Sequence, residues 1–195
     1  MPTGVAMRDV RAQLFDAAER VLLRAGPNGL TSRAVTTEAG CAKGVLHRHF
    51  PDFDTFLAEL VLDCAARFEA QAIALRERAG HGTVVDNLAA ALSDLFGPVA
   101  LAIVALVISR DGLRARLRQT WPTGIPVLTD ATAMLASYLD LERQRGRLAA
   151  DADVHALAPA LVGAGHLLFA GQPDPPPTPG DVHAQVAAIL AGHTR

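Results

Sequence analysis

Apolar residues recur at intervals of three and four along most of this 195-residue chain, the spacing that lines one side of a helix. From Asp9, placed as an N-cap, to Ala25 the stripe is Val10, Leu14, Phe15, Ala18, Val21 and Leu22, with Arg11, Arg20 and Arg24 off it. Gly26-Pro27-Asn28-Gly29 is a stop-and-turn signal. Two short helices follow, separated by Gly40. Thr31 can cap the first, whose apolar face is Ala34, Val35 and Ala39. The second, about Ala42 to His49, turns Val45, Leu46 and Phe50 inward and Lys43, Gly44, His47 and Arg48 outward. A long periodic segment then runs from Asp52 to about Ala79, with Asp52 as cap and Phe53, Phe56, Leu57, Leu60, Val61, Cys64 and Phe68 as its stripe.

Glycine and proline punctuate the remainder into helices at about 83–96, 98–109, 111–119, 125–145, 152–170 and 181–192. No useful stretch alternates as a strand does, and no repeat is visible. The fold class expected is all-α. Val99 to Ile108 is apolar all round, which predicts a central buried helix. Gln172 to Gly180, with five prolines, predicts an extended surface loop. Residues 1–8 carry no apolar period and read as a frayed lead or, through Arg8, as a mobile basic arm.

Charge changes this picture. The formal net charge is −2, yet residues 1–50 hold seven Lys+Arg against four Asp+Glu and the rest hold eleven against sixteen. A basic head of +3 on an acidic body of −5 suits a protein that touches phosphates with one end. A helix-turn-helix with a cationic outer face is the unit that enters a DNA major groove. Lys43 stands at the start of its second helix and is the only lysine beside seventeen arginines. It can reach a guanine edge or a phosphate, Arg33 and Arg48 can reach phosphates, and Val45 can touch a thymine methyl.

These residues carry a resemblance. An apolar helix, Gly26 and Gly29-Leu30-Thr31, Arg33, Ala39-Gly40, then Lys43-Gly44, Leu46 and His49-Phe50 before a long helix resemble the amino-terminal domain of the TetR family of bacterial repressors. The motif-level likeness covers about Val10 to Leu60. It implies a helix-turn-helix DNA-binding domain over residues 1–51 and a helical effector-binding and dimerisation domain over 52–195. Carried over residue by residue, the DNA contacts fall on Ser32, Arg33, Ala42, Lys43, Gly44, Val45, His47, Arg48 and His49. Three positions depart from the family pattern: Ala42 replaces a Ser or Thr cap, His47 a Tyr, and Phe53 a phosphate-contacting Lys. Losing the cap costs about 1 kcal/mol of helix stability.

The resemblance further implies a homodimer joined by a four-helix interface from 125–145 and 152–170, with Leu128, Leu135, Leu139, Leu157, Leu161 and Leu168 as candidate interface residues and Gly163 and Gly165 allowing close approach. It implies a palindromic operator and release by a small effector. A body rich in Ala, Leu, Val and Phe favours a hydrophobic effector. Candidate liners are Phe68, Leu92, Phe96, Leu106 and Met134, with Gln71, Trp121, Tyr138 and His166 as polar wall residues. Two other readings stay open: a DNA-binding repressor without a ligand, and a helical interaction module with a vestigial head.

No nucleophile–base pair, phosphate loop or carboxylate dyad stands out, so neither an enzyme nor a cofactor is expected. His47 and His49 point to nearly opposite sides of a helix and make a poor metal chelate. Cys41 and Cys64 have no metal spacing and read as reduced thiols. The longest apolar run has ten residues, about half a membrane span. With no apolar segment behind the initiator, the location expected is the cytoplasm.

Overall fold

The computed structural model describes residues 3–122, 124–171 and 175–194, with residues 3–9 described by backbone alone. Among these residues lie ten α-helices: α1 Thr3–Gly29, α2 Ser32–Glu38, α3 Val45–His49, α4 Phe53–Glu77, α5 Val84–Leu95, α6 Pro98–Ser109, α7 Asp111–Thr120, α8 Pro126–Gln144, α9 Val154–Gly171 and α10 Pro179–Ile189. Extended pairing among them is limited to one bridge between Leu148 and Thr194. The chain divides into two compact units, Met1–Cys64 with Ala102–Ile125, and Ala65–Leu101 with Pro126–Arg195. The division falls inside α4 and inside α6, so the unit holding the helix-turn-helix is larger than residues 1–51.

Helix α1 starts at Thr3, where a non-helical lead had been expected, and Asp9 lies within it rather than capping it. Val5, Ala6, Met7 and Arg8 contain no breaker, so the turn propagates back from the apolar stripe. At the other end Gly26 (φ 66°, ψ −177°) interrupts the helix before a last turn over Pro27–Gly29. The expected loop residues 172–174 lie outside the described residues.

The first unit closes around Leu14, Phe15, Ala18, Val21 and Leu22 of α1 with Val35, Leu46, Phe50, Phe56, Leu57 and Leu60, all buried. Phe50 meets Phe56 edge-on at 5.0 Å, and Phe15 lies 5.8 Å from Phe50 and 5.5 Å from Phe56. Truncating such an aromatic to alanine costs about 3–5 kcal/mol.

In the second unit α8 packs on α9, and α10 on α5 and α9. Gly165 of α9 is required by close approach: a Cβ there would lie 2.7 Å from Cε2 of Phe96. The buried polar centre is Glu142, with no exposed surface. Its Oε1 accepts from Tyr138 Oη at 2.6 Å and from the Gly80 amide at 3.2 Å. Asn87 Nδ2 donates to Tyr138 Oη at 2.9 Å and to the His81 carbonyl at 2.7 Å. Arg147 Nε lies 3.4 Å from Glu142 Oε2. That is an ion-pair distance without hydrogen-bond geometry, so this oxygen has a charge partner and no donor. Burial, then the Glu142 carboxylate, push the Tyr138 phenol well above its ordinary value.

Two sequence expectations are corrected here. Helix α6 is not buried all round: Ile103, Val104, Leu106 and Val107 are, while Ala105 and Ile108 face outward. Of the six leucines expected on an interface face, Leu135, Leu139, Leu157 and Leu161 are buried within the chain, and only Leu128 and Leu168 keep partial exposure. Both α8 and α9 carry apolar residues on more than one side, and the larger ones turn inward where they exclude the most water. Outward-facing residues of α9 are mostly small: Ala156, Pro159, Ala160, Gly163 and Ala170, with Leu167 at 72% exposure.

Candidate nucleic-acid interface

Helix α2 is capped as its sequence predicts, the Ala34 amide donating to Thr31 Oγ1 at 3.1 Å. Val35 and Thr36 are its buried residues. The Thr36 hydroxyl needs an acceptor once buried and takes two, the Ser32 and Arg33 carbonyls at 3.0 and 3.2 Å. The helix ends with Cys41 N–H donating to the Thr36 carbonyl and Gly40 N–H to that of Thr37, at 3.0 and 3.1 Å. This double closure is the Schellman motif, which puts Gly40 at φ 65°, a conformation costly for any residue with a Cβ.

Helix α3 is shorter than expected. Its regular part is five residues, and Gly44 stands at its start with no side-chain cap. Lys43 and Gly44 sit in a turn whose first bond is Val45 N–H to the Ala42 carbonyl, 2.9 Å. The cause is chemical: Ala42 has no oxygen to cap with, and Gly44 is a poor helix former. The far end is held instead. Leu46 is buried, and the Phe50 amide donates to its carbonyl at 2.9 Å. Arg11 of α1 donates to the His49 carbonyl at 3.3 Å, pairs with Glu59 and lies 4.3 Å over the Phe50 ring.

The outward side of this unit is continuous in the chain. Ala42, Lys43, Gly44, His47, Arg48 and Arg33 are exposed, and Ser32, Val45 and His49 are partly so. Arg20 and Arg24 are otherwise engaged, at 2.8 Å each from the Glu38 carboxylate. Hydrogen bonds from Arg20, then Arg24, hold that carboxyl below its usual range. Phe53, where a phosphate-contacting Lys was the family pattern, stacks on Phe56 at 5.7 Å and is half-buried. Exposed cations on a short helix and its leading turn are donors that suit phosphate oxygens and guanine edges.

The residues expected to line an effector site are dispersed. Gln71 and Met134 line a cavity of about 70 Å³ together with Ala74, Leu75, Arg78, Ala91 and Asp94. Phe68, Leu92, Phe96 and Tyr138 are buried in the same unit without reaching it, and His166 lies beside Phe96 at 5.9 Å. Leu106 and Trp121 belong to the other compact unit. Leu75, Ala74, Ala91, Arg78 and Asp94 had no distinguishing signal in the sequence. Arg11 was visible only as a cation beside the α1 stripe.

Residues 14–60 match the family model described as bacterial regulatory proteins, tetR family. Residues 14–60 thus carry a TetR-type amino-terminal domain. No curated protein matches this chain. Among solved structures it is similar to a TetR-family transcriptional regulator from Agrobacterium tumefaciens, at 16% identity over 97% of this chain and 100% of that one, TM-score 0.73. It is also similar to the fatty acid degradation regulator FadR from Bacillus halodurans, at 17% identity over 93% and 98% of the two chains, TM-score 0.70. A third likeness is to a regulator from Streptomyces coelicolor A3 described as a member of the TetR family, at 20% identity over 92% and 96%, TM-score 0.65. At such identities the likeness establishes the fold: an amino-terminal helix-turn-helix domain followed by a helical carboxy-terminal domain. The chain is therefore an all-α protein with a TetR-type helix-turn-helix domain at its amino end.

Proposed function

We propose that this regulator is a homodimeric, cytoplasmic repressor that occupies a palindromic DNA operator and leaves it when a small effector binds the body. The observation that carries the DNA half is the outward set Arg33, Lys43, His47 and Arg48, which has no ion pair among the described residues, while Arg20 and Arg24 are engaged by Glu38. Two copies would place their α3 helices roughly 34–36 Å apart, one turn of duplex, to read successive major grooves. The dimer half is supported by α9, which reaches a mean hydropathy of 1.5 with only 33% of its length buried. Its exposed small residues and Leu167 form a strip that a second copy can cover.

The effector half rests on a size argument. A cavity of about 70 Å³ is far below the roughly 300–1,000 Å³ of a drug-sized site. An effector must therefore favour a body opened around Gln71 and Met134, which is the differential affinity a population shift requires. Alanine, leucine and methionine walls beside Gln71, Arg78 and Asp94 suit a ligand with an apolar body and one polar end. The same small volume favours a second reading, a repressor whose body only dimerises.

Mobility shift on the chain's own upstream DNA tests the first half. K43A/R48A is expected to abolish the shift, and wild-type binding is expected to fall steeply with salt as counterions are released. L167E is expected to give a monomer that no longer binds. A thermal-shift screen of hydrophobic metabolites separates the two readings of the body, since only an effector both stabilises the chain and releases the DNA.

A further inference from the structure

Arg110 is the single residue between α6 and α7. Its guanidinium reaches back eighty positions, Nη2 donating to the Leu30 carbonyl at 2.7 Å and to that of Pro27 at 3.1 Å. It also lies 5.7 Å from the Phe53 ring centroid. The two carbonyls belong to the joint where α1 ends and the Thr31 cap of α2 begins. A helix end leaves carbonyls without intrahelical donors, and a cation there is favourable. Helix α1 has no basic residue in its own last turn. Arg110 supplies the missing donor from a distant part of the chain.

Six residues further on, Arg116 lies 3.1 Å from Asp52 and also meets Thr55, at the start of α4. Asp52 is itself the cap there, accepting from the Thr55 amide at 2.6 Å. The corner and first turns of α7 thus touch the chain just before α2 and just after α3, the two ends of the reading unit. The two contacts are unequal. Arg116 and Asp52 are both substantially exposed, and such pairs contribute little. Arg110 is part-buried and gives charge-assisted bonds to two otherwise orphaned carbonyls, which contribute more.

We infer that Arg110 is a positioning residue for DNA binding: it fixes the α1–α2 joint, and so the presentation of Arg33, Lys43 and Arg48, without touching DNA. The inference rests on the proposed DNA-binding reading. From the joint to Lys43 the chain runs through a capped helix and a Schellman turn, both stiff, so a change of angle at Leu30 displaces the cations downstream. A phosphate contact and a positioning residue both weaken binding when removed, but only the contact changes the number of counterions released.

The test is affinity against salt concentration for wild type, R110A, R110K and K43A, on a duplex that the wild-type chain selects from a random pool. R110A is expected to bind about tenfold more weakly, the equivalent of one lost charge-assisted bond, with a salt slope equal to wild type. K43A is expected to lower the slope by about one. R110K, whose ammonium can donate to both carbonyls, is expected to recover most of the loss, and hydrogen exchange in R110A should quicken over Ser32–Glu38. Wild-type affinity in R110A, a slope lowered as in K43A, or an R110K no better than R110A would each overturn the role. Should R110A not fold, R110Q, whose amide can donate to one carbonyl, carries the same comparison. A wild-type chain that selects no duplex sinks the DNA-binding reading and this role with it, whereas normal binding by R110A sinks the role alone.

Discussion

Residues 1–64 with 102–125 fasten their segments near the surface, by arginines that cross to carbonyls and carboxylates: Arg11 to His49 and Glu59, Arg20 and Arg24 to Glu38, Arg110 to Pro27 and Leu30. Residues 65–101 with 126–195 fasten theirs at the centre, around a Glu142 carboxylate with no exposure. The difference follows from what each unit must keep free. The first unit includes the short helices α2 and α3, and its ties lie where water competes with them. A larger helical body can enclose a charge, and it then depends on every partner of that charge. Surface ties set geometry at small cost in stability, while a buried tie decides whether the unit folds.

Glu142→Ala is the largest expected break in this contrast. It strands the Tyr138 hydroxyl, the Gly80 amide and Arg147 together. Removing one partner of a buried ionic network costs about 3–5 kcal/mol, readable as a fall in denaturation midpoint. E142Q, which keeps an acceptor for the phenol, should cost less. Tyr138 adds a sign. Its phenol is raised in the folded chain, so its contribution is complete below the ordinary tyrosine value near 10 and is lost as pH rises toward the folded one. Wild type should therefore lose more stability than Y138F between about pH 10 and the folded value.

What could be read before the structure, and what could not, divides along a similar line. The ten helices, the Thr31 cap, the Gly40 turn and the reading unit are local matters, written in spacing and in residues with few conformational alternatives. The face that α8 and α9 turn inward was not local. Leu135, Leu139, Leu157 and Leu161 are buried because partners lie on that side, and periodicity cannot choose between two apolar sides of one helix. The start of α1 was not legible because residues 3–8 carry no apolar period, although no breaker separates Val5 from Val10. The cavity walls and Arg110 depend on residues tens of positions away, which leave no mark in composition or period.

Gly165→Ala probes the body at intermediate size. The new Cβ would fall 2.7 Å from Phe96 and 3.3 Å from Leu92, both buried and with little room to yield. Overpacking of this kind costs about 1–3 kcal/mol, and calorimetry should show a lowered Tm. Exposed Gly163, two residues earlier, has open space around it. G163A should therefore leave monomer stability unharmed and act only on the proposed contact with a second copy.

Arg11→Met makes the matching change in the head, removing the donor to the His49 carbonyl and the pair with Glu59 while keeping an apolar stem over Phe50. Arg11 and Glu59 are each a little over one-third exposed. Solvent screening therefore holds the stability loss to about 1 kcal/mol or less, well below that of E142A. Operator affinity should nevertheless fall, because the uncapped α3 loses its hold at the carboxy end. A large stability loss with unchanged affinity would reverse the contrast between the units.

Glu38→Gln is the smallest change and the one most dependent on pH. The carboxyl is held below its usual value of 4.5 by hydrogen bonds from Arg20, then Arg24. A depressed carboxylate contributes stability that is present above the unfolded value and lost as pH falls through the folded one. The Tm difference between wild type and E38Q should therefore be present at pH 7, shrink below about pH 4.5 and vanish once the acid is protonated. Added salt should shrink it at neutral pH too, because both arginines are more than half exposed. E38Q also raises the head's net charge by one and releases two guanidinium groups. If the head meets phosphate as proposed, E38Q should bind DNA more tightly than wild type at low salt, and lose that advantage as salt rises.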